Sequence, residues 1–355
     1  MGANPSDFIK IGILIGIVVI AYILITSAFS NFIKQSYPKE KKYTPYISTY
    51  DYSWNNMTPL NKTRFMENIQ QAKDLGFKGI KLCNIECYYA EGYLLEAVRN
   101  ISKLGLKVII PLKWFDATYS FPYPAVAYQN IEGFPDNQTQ LETFLKYVYN
   151  VSYLLRDETN IVWFVIHFPF NWEYTRKAFW AKKIMTLEYK VALQQIINEV
   201  RRGAFATTKI FLTSELIEIY TNYTMPTDFD NIAGFGFQPY SLKRGNIDTD
   251  QLNTQYKYWR SVADKEGKRL GRTLEVYIDE WGFRTKGNGD HGYATDEANK
   301  VQLIREMVDY LYDWNIVWTY FGLLDFPPEA ADWGIVYDDG ILKPSGLVMR
   351  DLLRK

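Results

Sequence analysis

Asp279 and Glu280 are the residues of this chain whose position best suits them for chemistry. They lie near the end of the segment 273–282, TLEVYIDEWG, whose apolar residues predict a buried strand. A carboxylate held at the end of a rigid strand can act as a nucleophile, and the aromatic ring of Trp281 follows directly. The alternative is a loop carboxylate paired with an arginine such as Arg284. These residues alone leave both roles of Glu280 open.

Metal and cofactor sites have little support in the sequence. Asn288, Asp290 and His291 cluster in a glycine-rich stretch, but their spacing matches no metal-binding motif. A dinucleotide-binding domain should carry the motif GxGxxG after an early strand, and the chain has none there. We therefore predict no metal and no cofactor.

Helical stripes and apolar strands alternate along the chain from residue 46. The stripe 65–75 leads through a glycine into the strand 79–82, and the stripe 94–104 leads through a glycine into the strand 106–112. This repetition is typical of βα units in a parallel sheet. The eight predicted strands lie within 46–50, 79–82, 106–112, 161–166, 210–212, 232–237, 273–282 and 316–321. Eight units without a spare element favour a closed (β/α)8 TIM barrel over a doubly wound open sheet.

The active site of such a barrel lies at the C-terminal ends of the strands, and this rule selects further candidates. Asp51 follows the first strand, Glu215 ends the fifth and Tyr240 follows the sixth. Trp114 opens the long segment 114–136, which is rich in Tyr, Phe and Pro and follows the third strand. We predict that this segment forms a wall of the cleft.

The composition excludes one class of partner and leaves another open. Lys plus Arg and Asp plus Glu number 40 each among 355 residues, so no net charge attracts nucleic acid. Aromatic residues make up 17%, which fits either a ring-rich core or a surface on which sugar faces stack. Cys83 and Cys87 would lie about 13 Å apart on an extended strand, too far for a disulfide, so we predict two core thiols.

The segment Ile11 to Phe29 predicts a transmembrane helix. It is almost entirely apolar, and 19 residues at the helical rise cover roughly the 30 Å of a bilayer core. A cleaved signal peptide is the alternative, but the apolar run is long and little positive charge precedes it. We therefore expect an anchor over 1–30, a lysine-rich tether over 31–45 and a barrel over 46–355. A membrane-protein partner of the anchor helix is a further possibility.

Two signals for the orientation of the anchor disagree. The lysines after the helix outnumber the single lysine before it, which favours a cytoplasmic barrel. Against this, the chain carries six Asn-x-Ser/Thr sequons, where roughly two would arise by chance. They start at Asn56, Asn61, Asn100, Asn137, Asn150 and Asn222. We expect the barrel outside the cell, as an extracellular glycoprotein domain.

The chain from about 46 to 354 resembles the clan A glycoside hydrolases, a (β/α)8 superfamily of retaining glycosidases, endoglucanases and mannanases. Glu280-Trp281-Gly282 is similar to the clan's Glu-aromatic-Gly at the end of strand seven, where the Glu is the nucleophile. Trp318 and the tail 332–345, DWGIVYDDGILKPS with Trp333, resemble the clan's ending, in which a Trp forms the floor of the subsite. Tyr240 falls where the clan often keeps a His or Tyr bonded to the nucleophile.

The fourth strand departs from the clan. The general acid/base should be the Glu of an Asn-Glu-Pro phrase, and the corresponding positions here are His167 and Phe168. Glu173 in the following loop and Glu215 on the fifth strand are the two candidates for the missing acid. Glu173 is equally well explained as a carboxylate at a helix start, and His167 as an ordinary polar strand end.

Two functions therefore follow from the sequence. The first is a membrane-anchored glycoside hydrolase that acts on a β-linked polysaccharide or glycan at the cell surface. The second is a barrel that has lost hydrolysis and binds carbohydrate as a structural module. Glu280 and Glu173 are the predicted catalytic pair of the first. The predicted substrate-binding residues are Trp318, Tyr240, Trp281, Trp114, His167, Asp51, Glu215 and Trp333.

Overall fold

The computed structural model of the protein describes most of residues 43–355, which form one unit of the chain. The described residues are 44–49, 61–112, 138–167, 187–205, 207–215, 227–239, 242–243, 245–285, 294–324, 332–337 and 339–354. Backbone alone is described for His167 and Glu215.

Eight parallel strands close into a barrel, and each pairs with the next along the chain until the last pairs with the first. They are β1 (Thr44–Thr49), β2 (Gly79–Leu82), β3 (Lys107–Leu112), β4 (Ile161–His167), β5 (Lys209–Glu215), β6 (Gly234–Gln238), β7 (Glu275–Trp281) and β8 (Val317–Tyr320). A closed barrel has no sheet edge, so the doubly wound alternative is excluded and the predicted (β/α)8 barrel is confirmed.

Helices on the outside of the barrel connect the strands. Those in the described ranges are α1 (Lys62–Leu75), α2 (Ile85–Ala90), α3 (Leu94–Lys103), α4 (Gln138–Leu154), α5 (Leu187–Gly203), α6 (Thr249–Leu270), α7 (Glu297–Asp313) and α8 (Pro344–Leu353). The predicted stripe of α1 is buried, Asn61 caps its start by accepting the backbone N–H of Arg64 at 3.1 Å, and Gly76 ends it at φ +104°. A short antiparallel pair, 242–243 with 246–247, lies between β6 and α6.

Four large aromatic rings fill the interior of the barrel. Trp163 lies at the centre of them, with its ring centroid 4.5 Å from Phe211, 5.0 Å from Tyr277 and 6.0 Å from Tyr46. Ile109 and Val165 belong to the same interior cluster. Glycines lie beside three of the rings on the neighbouring strands, with Gly79 paired to Tyr46, Gly234 to Phe211 and Gly236 to Tyr277, and a Cβ at any of them would lie within 2.7 Å of a ring atom.

The closest of these contacts gives a stability prediction. A Cβ on Gly236 would lie 2.3 Å from a ring carbon of Tyr277, so Gly236→Ala must displace a fully buried ring. We expect the free energy of unfolding to fall by about 1–3 kcal/mol, measured by urea titration. Gly322→Ala is the control, because its Cβ would meet its nearest neighbour at an ordinary 3.4 Å. Equal losses in the two variants would contradict the packing explanation.

The expected anchor, 11–29, lies outside the described residues, and so does the expected tether up to residue 43. Its last two residues, Thr44 and Pro45, belong to β1 instead. Within the part of the chain that the structure describes, no helix combines the length and the apolar character needed to cross a bilayer. Both cysteines were expected to be core thiols, and this is confirmed. Cys83 and Cys87 are buried and unbridged, although the chain turns into α2 between them.

Candidate active site

Glu280 lies at the C-terminal end of β7, where the strand is irregular. Ile278 pairs with Trp318 of β8, and Trp281 pairs with Tyr320, so β7 carries one more residue than its partner between these two pairs. Such a bulge breaks the alternation of faces. Ile278 and Trp281 both pack in the outer hydrophobic layer, while the two carboxylates between them approach the same amide on β6.

Asp279 is the centre of a buried polar network. One of its oxygens, Oδ1, accepts hydrogen bonds from Lys81 Nζ at 2.9 Å and from the Tyr277 hydroxyl at 2.6 Å. The other, Oδ2, accepts from Gln238 Nε2 at 3.0 Å. Asp279 and Lys81 are almost completely excluded from solvent, at 0% and 1% exposure. A buried carboxylate requires such compensation, because desolvation of an unpaired charge is costly.

Glu280 borders this network. Its Oε2 lies 3.4 Å from Gln238 Nε2, so the amide of Gln238 contacts both carboxylates. Glu280 is 5% exposed, which makes it the outer member of the pair. The side chain of Glu280 is therefore held on a rigid strand at the end of the barrel where enzymes of this fold bind their substrates.

The charge states of the network follow from its geometry. Burial alone lowers the pKa of Lys81, but the negative charges of Asp279 and Glu280 outweigh it, so the pKa lies well above its ordinary value. Burial, followed by the charge of Asp279, raises the pKa of Tyr277 well above its ordinary value. At neutral pH Lys81 is a cation and Tyr277 is a neutral hydrogen-bond donor.

Trp333 lies beside the loop that follows Glu280. A ring carbon of Trp333 lies 3.4 Å from the position a Cβ on Gly282 would take. The ring meets Phe321 edge to face at 4.9 Å, and the guanidinium of Arg284 lies 5.5 Å from its centroid. Trp333 is partly exposed, so this predicted substrate-binding residue retains an accessible surface.

Two lysines hold the segment that carries Trp333. Lys300 of α7 is fully buried and donates to three successive backbone carbonyls, those of Asp332 at 2.8 Å, Trp333 at 3.2 Å and Gly334 at 2.8 Å. The carboxylate of Asp332 pairs with Lys343 and accepts a hydrogen bond from Thr285, which belongs to the loop after β7. These contacts join Thr285, which follows β7, to the segment 332–334, which comes after β8.

Asp332 makes the stability of this connection depend on pH. Burial raises its pKa, but the hydrogen bonds from Lys343 and Thr285 and the charges of Lys343 and Lys300 outweigh burial and hold the pKa well below its ordinary value of 3.8. The group therefore stabilises the fold above pH 3.8 and loses that contribution as the pH falls through its depressed pKa. We expect Asp332→Asn to lower the urea midpoint at pH 7, with a deficit that shrinks towards pH 2. A deficit that is constant with pH would contradict this role.

The remaining predicted site residues fall into two groups. Trp318 and Trp281 are 0% and 1% exposed and pack edge to face at 5.3 Å in the layer between strands and helices. They are packing groups in this structure and offer no exposed ring for a sugar. The other predicted residues lie outside the described side chains, namely Glu173, Tyr240, Trp114, Asp51, His167 and Glu215.

Metal binding has no support in the described part of the chain, where no cluster of three or more His, Cys, Asp or Glu side chains suits an ion. Asn288, Asp290 and His291 lie outside it. Two site residues, Lys81 and Gln238, were missed in the sequence, and the structural role of Asp279 as the partner of Lys81 was not predicted. A signal for Lys81 exists, since it is the polar residue of the otherwise apolar strand GIKL. No sequence pattern near Lys81 indicates that Asp279 is its partner.

The comparison with solved structures supports the barrel fold. No protein-family model and no curated protein matches the sequence. Among solved structures, Ruminococcus gnavus β-glucuronidase is similar with a TM-score of 0.58 and 10% identity over 88% of this chain and 50% of that chain. The β-galactosidase of the psychrophilic Marinomonas ef1 has a TM-score of 0.58 and 10% identity over 88% and 59%.

A β-glucuronidase from an uncultured Clostridium sp. is similar with a TM-score of 0.57 and 12% identity, again over 88% of this chain and 50% of that one. The chain thus spans about half the length of the glucuronidases it matches. At this identity the likeness defines the fold. The protein is a closed (β/α)8 barrel of the kind found in glycosidases.

Proposed function

We propose that this protein is a membrane-anchored glycoside hydrolase that acts on a β-linked polysaccharide or glycan. The observation that carries the proposal is the placement of Glu280. A buried carboxylate ends β7 of a closed barrel, at the C-terminal face, with an amide donor from β6 against it. The β-glucuronidase and β-galactosidase names of the similar structures support the choice of a β-linked sugar.

In this proposal Glu280 attacks the anomeric carbon of the sugar and forms a covalent glycosyl-enzyme while the glycosidic bond breaks. A second carboxyl donates a proton to the leaving oxygen and then removes one from the attacking water. Glu173 is proposed as this acid, ahead of Glu215, because Trp172 and Tyr174 flank it in the sequence. An apolar setting of that kind keeps a carboxyl protonated near neutral pH.

Trp333 completes the proposed sugar site. Its partly exposed ring lies next to the loop that follows Glu280, and Lys300 and Lys343 fix the segment that carries it. An aromatic ring of this kind suits the C–H face of a pyranose. The proposed site therefore combines a nucleophile on β7 with a stacking surface after β8.

The test is a panel of aryl β-glycosides and natural β-linked glycans, with release of sugar as the readout. Turnover of at least one member is expected, and activated glycosides should be turned over fastest, since they need little protonation of the leaving group. A protein that binds panel members without releasing sugar would instead be the carbohydrate-binding module that the sequence also allows. Isothermal titration with the same panel separates these outcomes.

We also propose that 11–29 anchors the chain and that the barrel faces the exterior. The support is the long apolar run and the excess of sequons. Protease added to intact cells should then release the barrel. If the barrel is cut only after the membrane is permeabilised, it lies in the cytoplasm, as the lysines after the helix suggest.

The solvent exposure of each asparagine determines which sequons of an exterior barrel can carry a glycan. Asn61 is exposed and Asn150 is half-buried, so both can carry a glycan. Asn100 is buried, and its amide donates a hydrogen bond to the Tyr93 hydroxyl at 3.2 Å, so a glycan there is incompatible with the fold. Mass spectrometry of tryptic glycopeptides should find glycan at Asn61 or Asn150 and unmodified Asn100. A glycan at Asn100 would contradict the prediction.

A further inference from the structure

We infer that a groove between α2, α3 and α4 holds the first sugars of a glycan attached to Asn150. The inference rests on the exterior position of the barrel proposed above, because an Asn-x-Ser/Thr sequon is modified in chains that leave the cytoplasm. Helices on the outside of the barrel form the groove, so it is separate from the strand end that carries Glu280.

The groove has the size and the lining of a small-ligand site. Its volume is about 740 Å³, and sites that hold small molecules measure roughly 300–1,000 Å³. Its walls are mainly apolar, with Tyr89 of α2 and Leu95 of α3 on one side and Tyr147 and Leu154 of α4 on the other. The rings of Tyr89 and Tyr147 meet edge to face at 5.5 Å. Walls of this kind suit the C–H faces of a pyranose.

Asn150 itself lines the groove. It shares one face of α4 with Tyr147 and Leu154, because residues three and four apart are neighbours on a helix surface. Helical side chains lean towards the helix N-terminus, which directs Asn150 towards Tyr147. Asn150 is half-buried, and Asn150-Val151-Ser152 is a sequon. A sugar on Asn150 therefore begins inside the groove.

The opposite flank of Asn150 suits a sugar less well. Tyr149 and Tyr153 stack there at 5.8 Å, on the side of α4 that packs against α5. Arg202 lies over the ring of Tyr149 at 4.3 Å, and Arg156 lies over the ring of Tyr153 at 3.9 Å. The guanidinium groups cover ring faces on which a pyranose would otherwise stack. The groove is therefore the better surface for the glycan.

Attachment requires a lipid-linked sugar phosphate as the donor. The bond that forms joins the side-chain nitrogen of Asn150 to the anomeric carbon of the first sugar. The bond that breaks joins this carbon to a phosphate oxygen of the donor, and the phosphate leaves with the bonding electrons while the amide nitrogen loses a proton. Ser152 is fully buried in the folded chain, so the transfer must precede the packing of α4.

A glycan that only projects into solvent would give different results. It would leave the groove residues open to solvent, and its effect on stability would not depend on the walls of the groove. A glycan held in the groove covers those residues and stabilises the fold through them. Protection of the walls and dependence on the walls are thus the two distinguishing observations.

Hydroxyl-radical footprinting of the full-length protein tests the contact. The glycosylated protein, with glycan at Asn150 verified by mass spectrometry, is compared with the same chain made without glycan in a bacterial cytoplasm. Labelling of Tyr89 and Leu154 should fall about threefold on glycosylation, because a bound ligand covers most of the surface that it faces. Tyr153 is 47% exposed on the other flank, so its labelling should not change. Asn150→Gln should lose the protection.

Thermal unfolding tests whether the groove holds the glycan. Glycosylation should raise the unfolding midpoint of the wild type by about 2–4 °C. Tyr89→Ala opens one wall of the groove and should remove most of this increment, whereas Tyr153→Ala should retain it. Each variant is compared with its own unglycosylated form, so the intrinsic cost of the substitution cancels. Should Tyr89→Ala not fold, the footprint of the wild type still decides.

The outcomes separate this inference from the proposal on which it rests. Glycan at Asn61 without glycan at Asn150, or glycan at Asn150 without protection of Tyr89 and Leu154, would overturn the inference and leave the exterior barrel in place. If no sequon carries glycan and the barrel resists protease on intact cells, both fail. If no glycoside is hydrolysed but the walls are protected, the hydrolase proposal fails and the glycan groove stands.

Discussion

Glu280→Gln is expected to lower kcat on any glycoside substrate by roughly 10⁴-fold to 10⁶-fold, the scale seen when a catalytic nucleophile is removed. The amide is nearly isosteric with the carboxylate but cannot form the covalent intermediate. Sugar binding should be largely retained, because the amide can still form hydrogen bonds and Trp333 is unaltered. Single-turnover kinetics and ligand titration on the same preparation measure the two effects separately.

Glu275→Gln is the matched control for this variant. Glu275 lies on the same strand as Glu280 but at its other end, where it pairs with Lys209 at 2.6 Å and is partly exposed. The chemical change is identical, and turnover should stay within about twofold, since surface pairs contribute little. Equal losses in the two variants would show that the effect of Glu280→Gln comes from damage to β7.

Lys81→Met is expected to have the largest effect on stability, a loss of about 3–5 kcal/mol in the free energy of unfolding. Removing the ammonium leaves the fully buried carboxylate of Asp279 without its cation. The additional change Asp279→Asn should recover part of the loss, because it removes the stranded charge. Urea titration of the two variants and the wild type at pH 7 measures both steps.

The pH dependence of this loss has a defined sign. The pKa of Lys81 is raised in the folded protein, so its contribution is fully present below its ordinary value of 10.5 and disappears only as the pH rises through the folded value. The deficit of Lys81→Met should therefore persist through neutral pH. Lys209→Met, which breaks a half-exposed pair, should cost about 1 kcal/mol or less. If Lys81→Met also cost only about 1 kcal/mol, the buried pair would contribute little to the free energy of unfolding.

Local patterns in the sequence were sufficient to predict the barrel architecture. The glycine that ends a helical stripe and the apolar run that follows it are short-range signals, and their repetition predicted the strands that the structure contains. The position of Glu280 at the end of β7 is also a local property, since the strand formers before it determine where the strand ends. Both predictions needed no knowledge of which segments meet.

Closure of the barrel determines which distant segments of the chain come into contact. Lys81 and Asp279 are 198 residues apart, and they meet only because β2 and β7 face each other across the interior. The bulge in β7 sends Trp281 to the outer layer, and Trp318 joins it there, so two rings expected to meet sugar became packing groups. Sequence alone thus determined the barrel and the strand that carries Glu280. The tertiary structure decided which groups surround Glu280, because burial and pairing depend on side chains brought together from separate strands.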